Sequence, residues 1–282
     1  MTIKELLNQG IIMLKNEDID APKNKARVLL QYTLKVTKEY LIIYDNKNVT
    51  SSQRDEYTRN IKRLISGEPL QYITGLQEFM KLNFLVNKDV LIPQPDTEIL
   101  VEEVIDLAKK IENPSILDLC TGSGAIAVSI AKYIKDSEVT ATDISKEALR
   151  VAKKNAINNE VQNQITFIES DLFEKIAKTK FDMIISNPPY IKKDIIKKLD
   201  QEVQKEPMIA LDGGYDGLKF YKKIANKAYE YLKFGGYLCL EIGYDQKESV
   251  IEIIESEEKY NKIYSKKDLC DNDRIIVAKV GE

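Results

Sequence analysis

The chain of 282 residues is too long for one small domain, and with 43% hydrophobic residues it can bury a sizeable core. Its 42 Lys and Arg against 45 Asp and Glu leave a net charge of -3, which excludes a chain-wide basic field for gripping nucleic acid. There is no histidine, so Ser-His-Asp hydrolysis and histidine-ligated metal centres are excluded as well. The cysteines, Cys120, Cys239 and Cys270, stand far apart with no C-x-x-C pair, which points to a reducing compartment rather than to zinc or disulfides. The start MTIKELLNQG lacks a secretory apolar core, and no stretch approaches the roughly 20 apolar residues of a membrane helix, so a soluble cytoplasmic protein is expected.

Residues 1–74 read as a helical unit. Thr2 precedes a run with Leu6, Leu7, Ile11, Ile12 and Leu14 at helical spacing, and Ala26 to Val36 repeats the pattern. A short apolar helix is expected between Thr37 and Asp45. Ser51 or Ser52 is expected to cap the next helix, which Gly67 would end. Here 12 Lys and Arg face 9 Asp and Glu, an ordinary solvated surface rather than a nucleic-acid patch. Residues 75–95 alternate apolar and polar through Phe79, Leu82, Phe84 and Val86, which predicts a β-hairpin linker stiffened at its exit by Pro93 and Pro95. Asp96 or Thr97 would cap the following helix, and residues 96–282 would form a third unit. Within it, strand-like runs at 115–119, 138–142, 164–168, 181–186, 236–242 and 274–280 are mostly separated by helical stretches. Continuous apolar strands alternating with helices predict a parallel sheet covered on both faces.

The first of these strands runs into Asp118, Cys120, Thr121, Gly122, Ser123 and Gly124, a tight turn expected to open a helix near Ser123. Glycines there let backbone approach a ligand closely, and the C-terminal edge of an open parallel sheet is where ligands bind. Gly122 to Ala127 satisfies the dinucleotide pattern G-x-G-x-x-G/A, which by itself does not separate a nicotinamide cofactor from S-adenosylmethionine. Asp143 ends the second strand, where a carboxylate accepts both hydroxyl hydrogens of a ribose; the bland alternative, a helix cap, falls to Ser145 instead. Asp171 closes the third strand, where it can accept from an adenine amino group with Leu172 and Phe173 over the ring, although core packing explains those two apolar residues equally well.

After the fourth strand comes Asn187-Pro188-Pro189-Tyr190. A residue before proline is held extended, and proline has a fixed φ and no N–H, so the turn is rigid and the Pro188 carbonyl owes nothing to a ladder. That carbonyl and the Asn187 side-chain oxygen are two acceptors matched to a planar NH2, with Tyr190 placed to lie against the flat group that carries it. Two hydrogen bonds return electron density to such a nitrogen and aim its lone pair at an electrophile; a sulfonium methyl suits, without metal or histidine.

The segments DLCTGSGAIAV, ATDIS and SNPPYI resemble class I S-adenosylmethionine-dependent methyltransferases acting on amide or amino nitrogen. More narrowly, GEPLQYITGLQEF, VLIPQPDTEILVE, EPMIALDGGYDGLKFY and GGYLCLEIGYDQ resemble the HemK/PrmC type, which methylates the glutamine side-chain nitrogen in the Gly-Gly-Gln motif of peptide chain release factors. The resemblance implies an α/β fold, a seven-stranded Rossmann-like domain preceded by a small helical domain that docks class 1 release factors. It also implies no metal, no membrane and no direct nucleic-acid substrate. It gives Cys120 to Gly124, with Asp118, to the methionine part of the cofactor, Asp143 to its ribose, and Asp171 with Leu172 to its adenine. Asn187, Pro188, Pro189 and Tyr190 then hold the substrate amide, and Asn187 also touches the cofactor. This chain has Gln94 where the family usually has arginine, which removes a charged bidentate contact. Three alternatives stay open: an amino methyltransferase acting on adenine in DNA or RNA, a non-catalytic S-adenosylmethionine-binding protein of the translation machinery, and a nicotinamide-dependent oxidoreductase that leaves the Asn-Pro-Pro-Tyr turn unexplained.

Overall fold

The computed structural model describes residues 1–281 and divides them into two compact units. One comprises Met1–Gly75 together with Asp200–Lys205; the other comprises Leu76–Leu199 and Glu206 onward.

The first unit is helical, with helices Ile3–Asn16, Pro22–Leu34, Lys38–Ile43, Ser51–Ile65 and Leu70–Thr74. Thr2 caps the first through a reciprocal capping box with Glu5, and Thr37 caps the third. The fourth is capped by Thr50, not by the expected Ser51 or Ser52: the Thr50 side chain and Gln53 close a capping box, so Ser51 already lies inside the helix. Gly67 takes φ +82° just past its end, as expected of a helix stop. Leu6, Leu14, Leu29, Leu30, Ile61 and Leu64 are fully buried between these helices. Each such side chain contributes about 2 kcal/mol of transfer free energy.

The second unit begins with a hairpin, β1 (Leu76–Phe79) and β2 (Leu82–Leu85). The hairpin read as a linker packs into this unit. Phe79 and Phe84 are buried edge to face in its core, and Asn155 grips Leu85 through both its amide ends. The strands β3 (Ser115–Leu119), β4 (Glu138–Asp143), β5 (Ile165–Glu169), β6 (Phe181–Ser186), β7 (Leu232–Glu241), β8 (Tyr260–Lys267) and β9 (Asp273–Val280) form one seven-stranded sheet. Their order is β5-β4-β3-β6-β7-β9-β8, with β9 antiparallel to both neighbours and the other pairs parallel. Successive residues face opposite layers: Ile116, Met183, Ile185 and Cys239 join one core, while Leu117, Ile184, Leu238 and Leu240 join the other. Covering both faces buries both sets, which is why the central strands read as continuous apolar runs. The edge strand β8 is exposed at most positions, so its polar sequence gave a weak strand signal.

Neither Asp96 nor Thr97 caps the helix Thr97–Ala108. Asp96 adopts helical angles and pairs with Arg274 at 3.2 Å, and the Thr97 hydroxyl oxygen accepts from Asn187. Among the described residues no helix is long and apolar enough to cross a membrane.

A candidate methyltransferase site at the crest of the sheet

The chain leaves β3 toward β4 on one side and β6 on the other, so the crevice above their C-terminal ends is a topological switch point. The turn after β3 is tightly braced. Thr121 donates its hydroxyl to Asp118 Oδ2 at 2.6 Å and its N–H to the Thr142 carbonyl at 2.9 Å. Gly124 takes φ +80°, and a Cβ there would stand 2.9 Å from Ala152 Cβ, so the next helix packs closely only because this position is bare. That helix runs Ala125–Tyr133, with Gly124 rather than Ser123 at its N-cap. Gly122 takes φ +56° and has open space where a Cβ would be. Cys120, at φ +61°, shares this left-handed conformation without glycine's freedom.

Asp143 faces the turn from the end of β4. Its Oδ2 accepts the Gly122 N–H and its Oδ1 the Ser145 N–H, both at 2.8 Å. Burial raises its pKa and those backbone donors oppose the rise. Ser145 supplies the helix cap, as expected. Ser170 and Asp171 follow β5, and Leu172 turns there with φ +47°.

Asn187 follows β6. Its Nδ2 donates to Thr97 Oγ1 at 3.2 Å, which leaves its Oδ1 as the outward acceptor. The turn is pinned downstream by the Ile191–Asp212 bridge and by Gln246 Nε2, which donates to the Tyr190 carbonyl at 3.0 Å. Tyr190 directs its hydroxyl at Glu241 Oε1, 3.4 Å away.

Two cavities meet here. The larger, about 230 Å³, is lined by Cys120, Gly122, Asp143, Asp171, Leu172, Asn187 and Pro189, among others. The smaller, about 50 Å³, is lined by Pro93, Gln94, Thr97, Thr121, Ser123 and Ile126. Leu91, Cys120, Gly122 and Asn187 line both and so mark the junction.

The family described as "Methyltransferase small domain" matches residues 94–251, and "PrmC N-terminal domain" matches residues 5–75. A Release factor glutamine methyltransferase from Clostridium acetobutylicum is 40% identical over 284 residues, covering 100% of this chain and 99% of that protein. The chain belongs to the release factor glutamine methyltransferase family. Another member, from Clostridium botulinum, is 38% identical over 282 residues, covering 99% of each. At the level of fold alone, the hMettl16 catalytic domain superposes with a TM-score of 0.60 at 15% identity, over 76% of this chain and 82% of that one. A methyltransferase from Pyrococcus furiosus does so with 0.54 at 17% identity, over 80% and 100%.

For this family member, the cavity linings separate the residues singled out from the sequence. Cys120, Thr121, Gly122, Ser123, Asp143, Asp171, Leu172, Asn187 and Pro189 come to one cavity or the other. Asp118, Gly124, Pro188 and Tyr190 are not among the lining residues. Asp118 is fully buried beneath the turn, where burial pushes its pKa up to about 7 and its Oδ1 has no partner. Leu91 falls in the stretch Phe79 to Glu98 that the resemblance gives to the pocket wall, whereas Ile209 and Phe220, apolar lining residues with no periodicity to mark them, were missed. Sequence reasoning also missed Glu206, whose carboxylate accepts the Ile92 N–H at 2.8 Å and so ties down the loop carrying Gln94; burial raises its pKa to about 7. Gln94 donates to the Ile92 carbonyl at 3.1 Å within that loop.

Proposed function

We propose that this enzyme transfers a methyl group from S-adenosylmethionine to the side-chain amide nitrogen (N5) of the glutamine in the Gly-Gly-Gln motif of class 1 peptide chain release factors. Full-length relatives named Release factor glutamine methyltransferase support the substrate, which puts the reaction in the cytoplasm where translation ends. The observation that carries the reading is Asn187: it lines both cavities, and its nitrogen is committed to Thr97, so its oxygen is the acceptor on offer. In this reading residues 1–74 dock the release factor, residues 75–95 link, and residues 96–282 carry the chemistry.

The residues present suit the cofactor. Open space at Gly122 admits a ligand against bare backbone, and Asp143 keeps lone pairs for ribose hydroxyls while its first pair holds the turn. Asp171 and Leu172 line the same cavity and are assigned to adenine, and Cys120 to Ser123, which line one cavity or both, are assigned to the methionine part, with Gly124 closing the turn behind them. When bound, S-adenosylmethionine supplies an electrophilic methyl on a sulfonium. The chain's own task is to position the nucleophile. Asn187 Oδ1 and the Pro188 carbonyl accept the two hydrogens of the glutamine NH2, drawing the nitrogen lone pair out of amide delocalisation. The product nitrogen keeps one hydrogen, and the other leaves as a proton along one of these hydrogen bonds. Pro188 and Pro189 hold both acceptors in place before substrate arrives, so little reorganisation remains at the moment of transfer.

The test is to incubate a class 1 release factor with this protein and methyl-labelled cofactor, digest it and locate the label. The reading requires one methyl on the glutamine of Gly-Gly-Gln; label elsewhere, or none, would overturn it.

A further inference from the structure

Asn155 commits both ends of its side-chain amide inside the protein. It lies on the helix Lys146–Asn158, is fully buried, and bonds two segments far apart in the chain. Its Oδ1 accepts the Leu85 N–H at 2.7 Å, and its Nδ2 donates to the Leu85 carbonyl at 3.0 Å and to the Ser123 carbonyl at 2.9 Å. Among the described residues β2 has β1 along one edge and no strand along the other. On that open edge the amide pairs with Leu85 as a neighbouring strand would. The pattern admits one orientation of the amide: turned over, it would set its NH2 against an N–H and its oxygen against two carbonyls.

Both segments lead to the cavity junction. After Leu85 the chain turns at Asn87, whose side chain accepts the Asp89 N–H at 2.9 Å and whose carbonyl accepts the Val90 N–H at 3.2 Å. It then runs through Leu91, Pro93 and Gln94 along the cavity walls. Glu206 holds the far end of this wall at the Ile92 N–H. Ser123 directly follows Gly122 in the glycine turn. The turn is fixed on either side of it, by the Gly122 N–H on Asp143 and by the Gly124 N–H on the Thr121 carbonyl at 2.8 Å. Leu91 and Gly122 both line the junction.

We infer that Asn155 is a positioning residue for the methyl transfer: by holding Leu85 and Ser123 through one amide, it sets the spacing of wall and glycine turn across the junction. The inference rests on the proposed function, in which the cofactor seats on the turn and the substrate amide enters against the wall. An amide is planar, and hydrogens on a single nitrogen serve both carbonyls, so neither segment shifts without straining the bond to the other. Methyl transfer is sensitive to that spacing, because a misplacement of about 1 Å costs on the order of 100-fold in rate. Asn159, which ends the same helix, supplies the contrast. Its Nδ2 donates to the Asn83 carbonyl at 3.2 Å and to the Asn155 carbonyl at 2.9 Å, so its hydrogen bonds hold the hairpin and not the glycine turn.

Three variants test this. Asn155→Leu is close in size and removes all three bonds. Asn155→Asp is closer still in shape; burial against two carbonyls keeps it neutral, and its one hydrogen cannot serve both, so either wall or turn is released. Both variants should lose about 10- to 100-fold in the single-turnover rate of methyl transfer at saturating cofactor and release factor, while S-adenosylhomocysteine affinity and the KM for release factor stay within about threefold. Asn159→Ala should lower the melting temperature by a few degrees and keep the parent rate. Asn155→Asp carries the test where Asn155→Leu does not fold. Near-parent rates in the folded Asn155 variants would overturn the inference. So would a loss seen only in affinity, or one that Asn159→Ala reproduces, since either marks the amide as a scaffold contact. If the parent protein itself leaves the release factor glutamine unmethylated, the proposed function fails and takes this inference with it.

Discussion

The two units differ in the carboxylates they bury. In the helical unit the buried polar side chains Thr33 and Asn60 satisfy each other at 3.3 Å, and the buried Tyr57 donates to the Ala26 carbonyl. In the sheet unit the buried groups include the carboxylates Glu103, Asp118, Glu206, Glu241 and Asp268. Among the described residues no carboxylate is buried in the helical unit. Taking a carboxylate out of water is costly unless donors or cations receive it. Asp268 has Arg274, but Asp118 and Glu241 each keep an oxygen with no hydrogen-bond partner. Asp118 spends its other oxygen on Thr121, inside the turn that lines the crevice.

The contrast predicts that damage to the helical unit costs stability, whereas damage near the crevice costs ligand affinity. Leu30→Ala should destabilise the protein by about 3 kcal/mol, measured by denaturant unfolding, while leaving S-adenosylhomocysteine affinity intact in the folded protein. Asp143→Ala should do the reverse. Loss of two turn hydrogen bonds and of the ribose acceptor should weaken cofactor affinity by about 10- to 100-fold in calorimetry. Unchanged affinity would remove Asp143 from the cofactor site. Gly122→Ala should cost about tenfold in affinity, because the added methyl enters the open space and the backbone is strained at φ +56°. The smallest effect is on pH. Asp118, Glu206 and Glu241 are all raised to about 7, so the native state binds more protons than the unfolded chain between about pH 4 and pH 7. The stability they contribute is complete below that window and is lost as pH rises through about 7. The melting temperature should therefore be a few degrees higher near pH 6 than near pH 8, and Glu241→Gln should narrow the gap. A melting temperature that rises with pH over that range would contradict the burial of these acids.

Much of this was legible in the chain because the governing physics is local. Apolar runs located β3, β4, β5, β6 and the paired portion of β7, and the Thr2 and Thr37 caps follow from side-chain chemistry within three residues. The glycine turn and the Asn187 bend were legible because proline and positive φ restrict the backbone whatever surrounds it. What escaped depends on distant partners. Thr97 reads as a helix cap until Asn187, 90 residues on, occupies its hydroxyl. Asp96 reads the same way until Arg274 is beside it. Glu206, after Gln204 and Lys205, carried no mark of its burial, whereas Glu241 carried one, an acid set among apolar residues. For Glu241 that mark is the interruption of an otherwise apolar LCLEI run, and the residue went unremarked in the sequence because its burial is set by the layers on both sides of β7.

The central claim is that Asn187 holds the substrate amide and not the cofactor, and one pair of numbers on Asn187→Ala tests it most directly. Single-turnover methyl transfer to a release factor should fall by about a thousandfold or more, while the dissociation constant for S-adenosylhomocysteine moves by less than about threefold. Transfer at near-parent rate, or a loss explained entirely by weakened cofactor binding, would contradict the account.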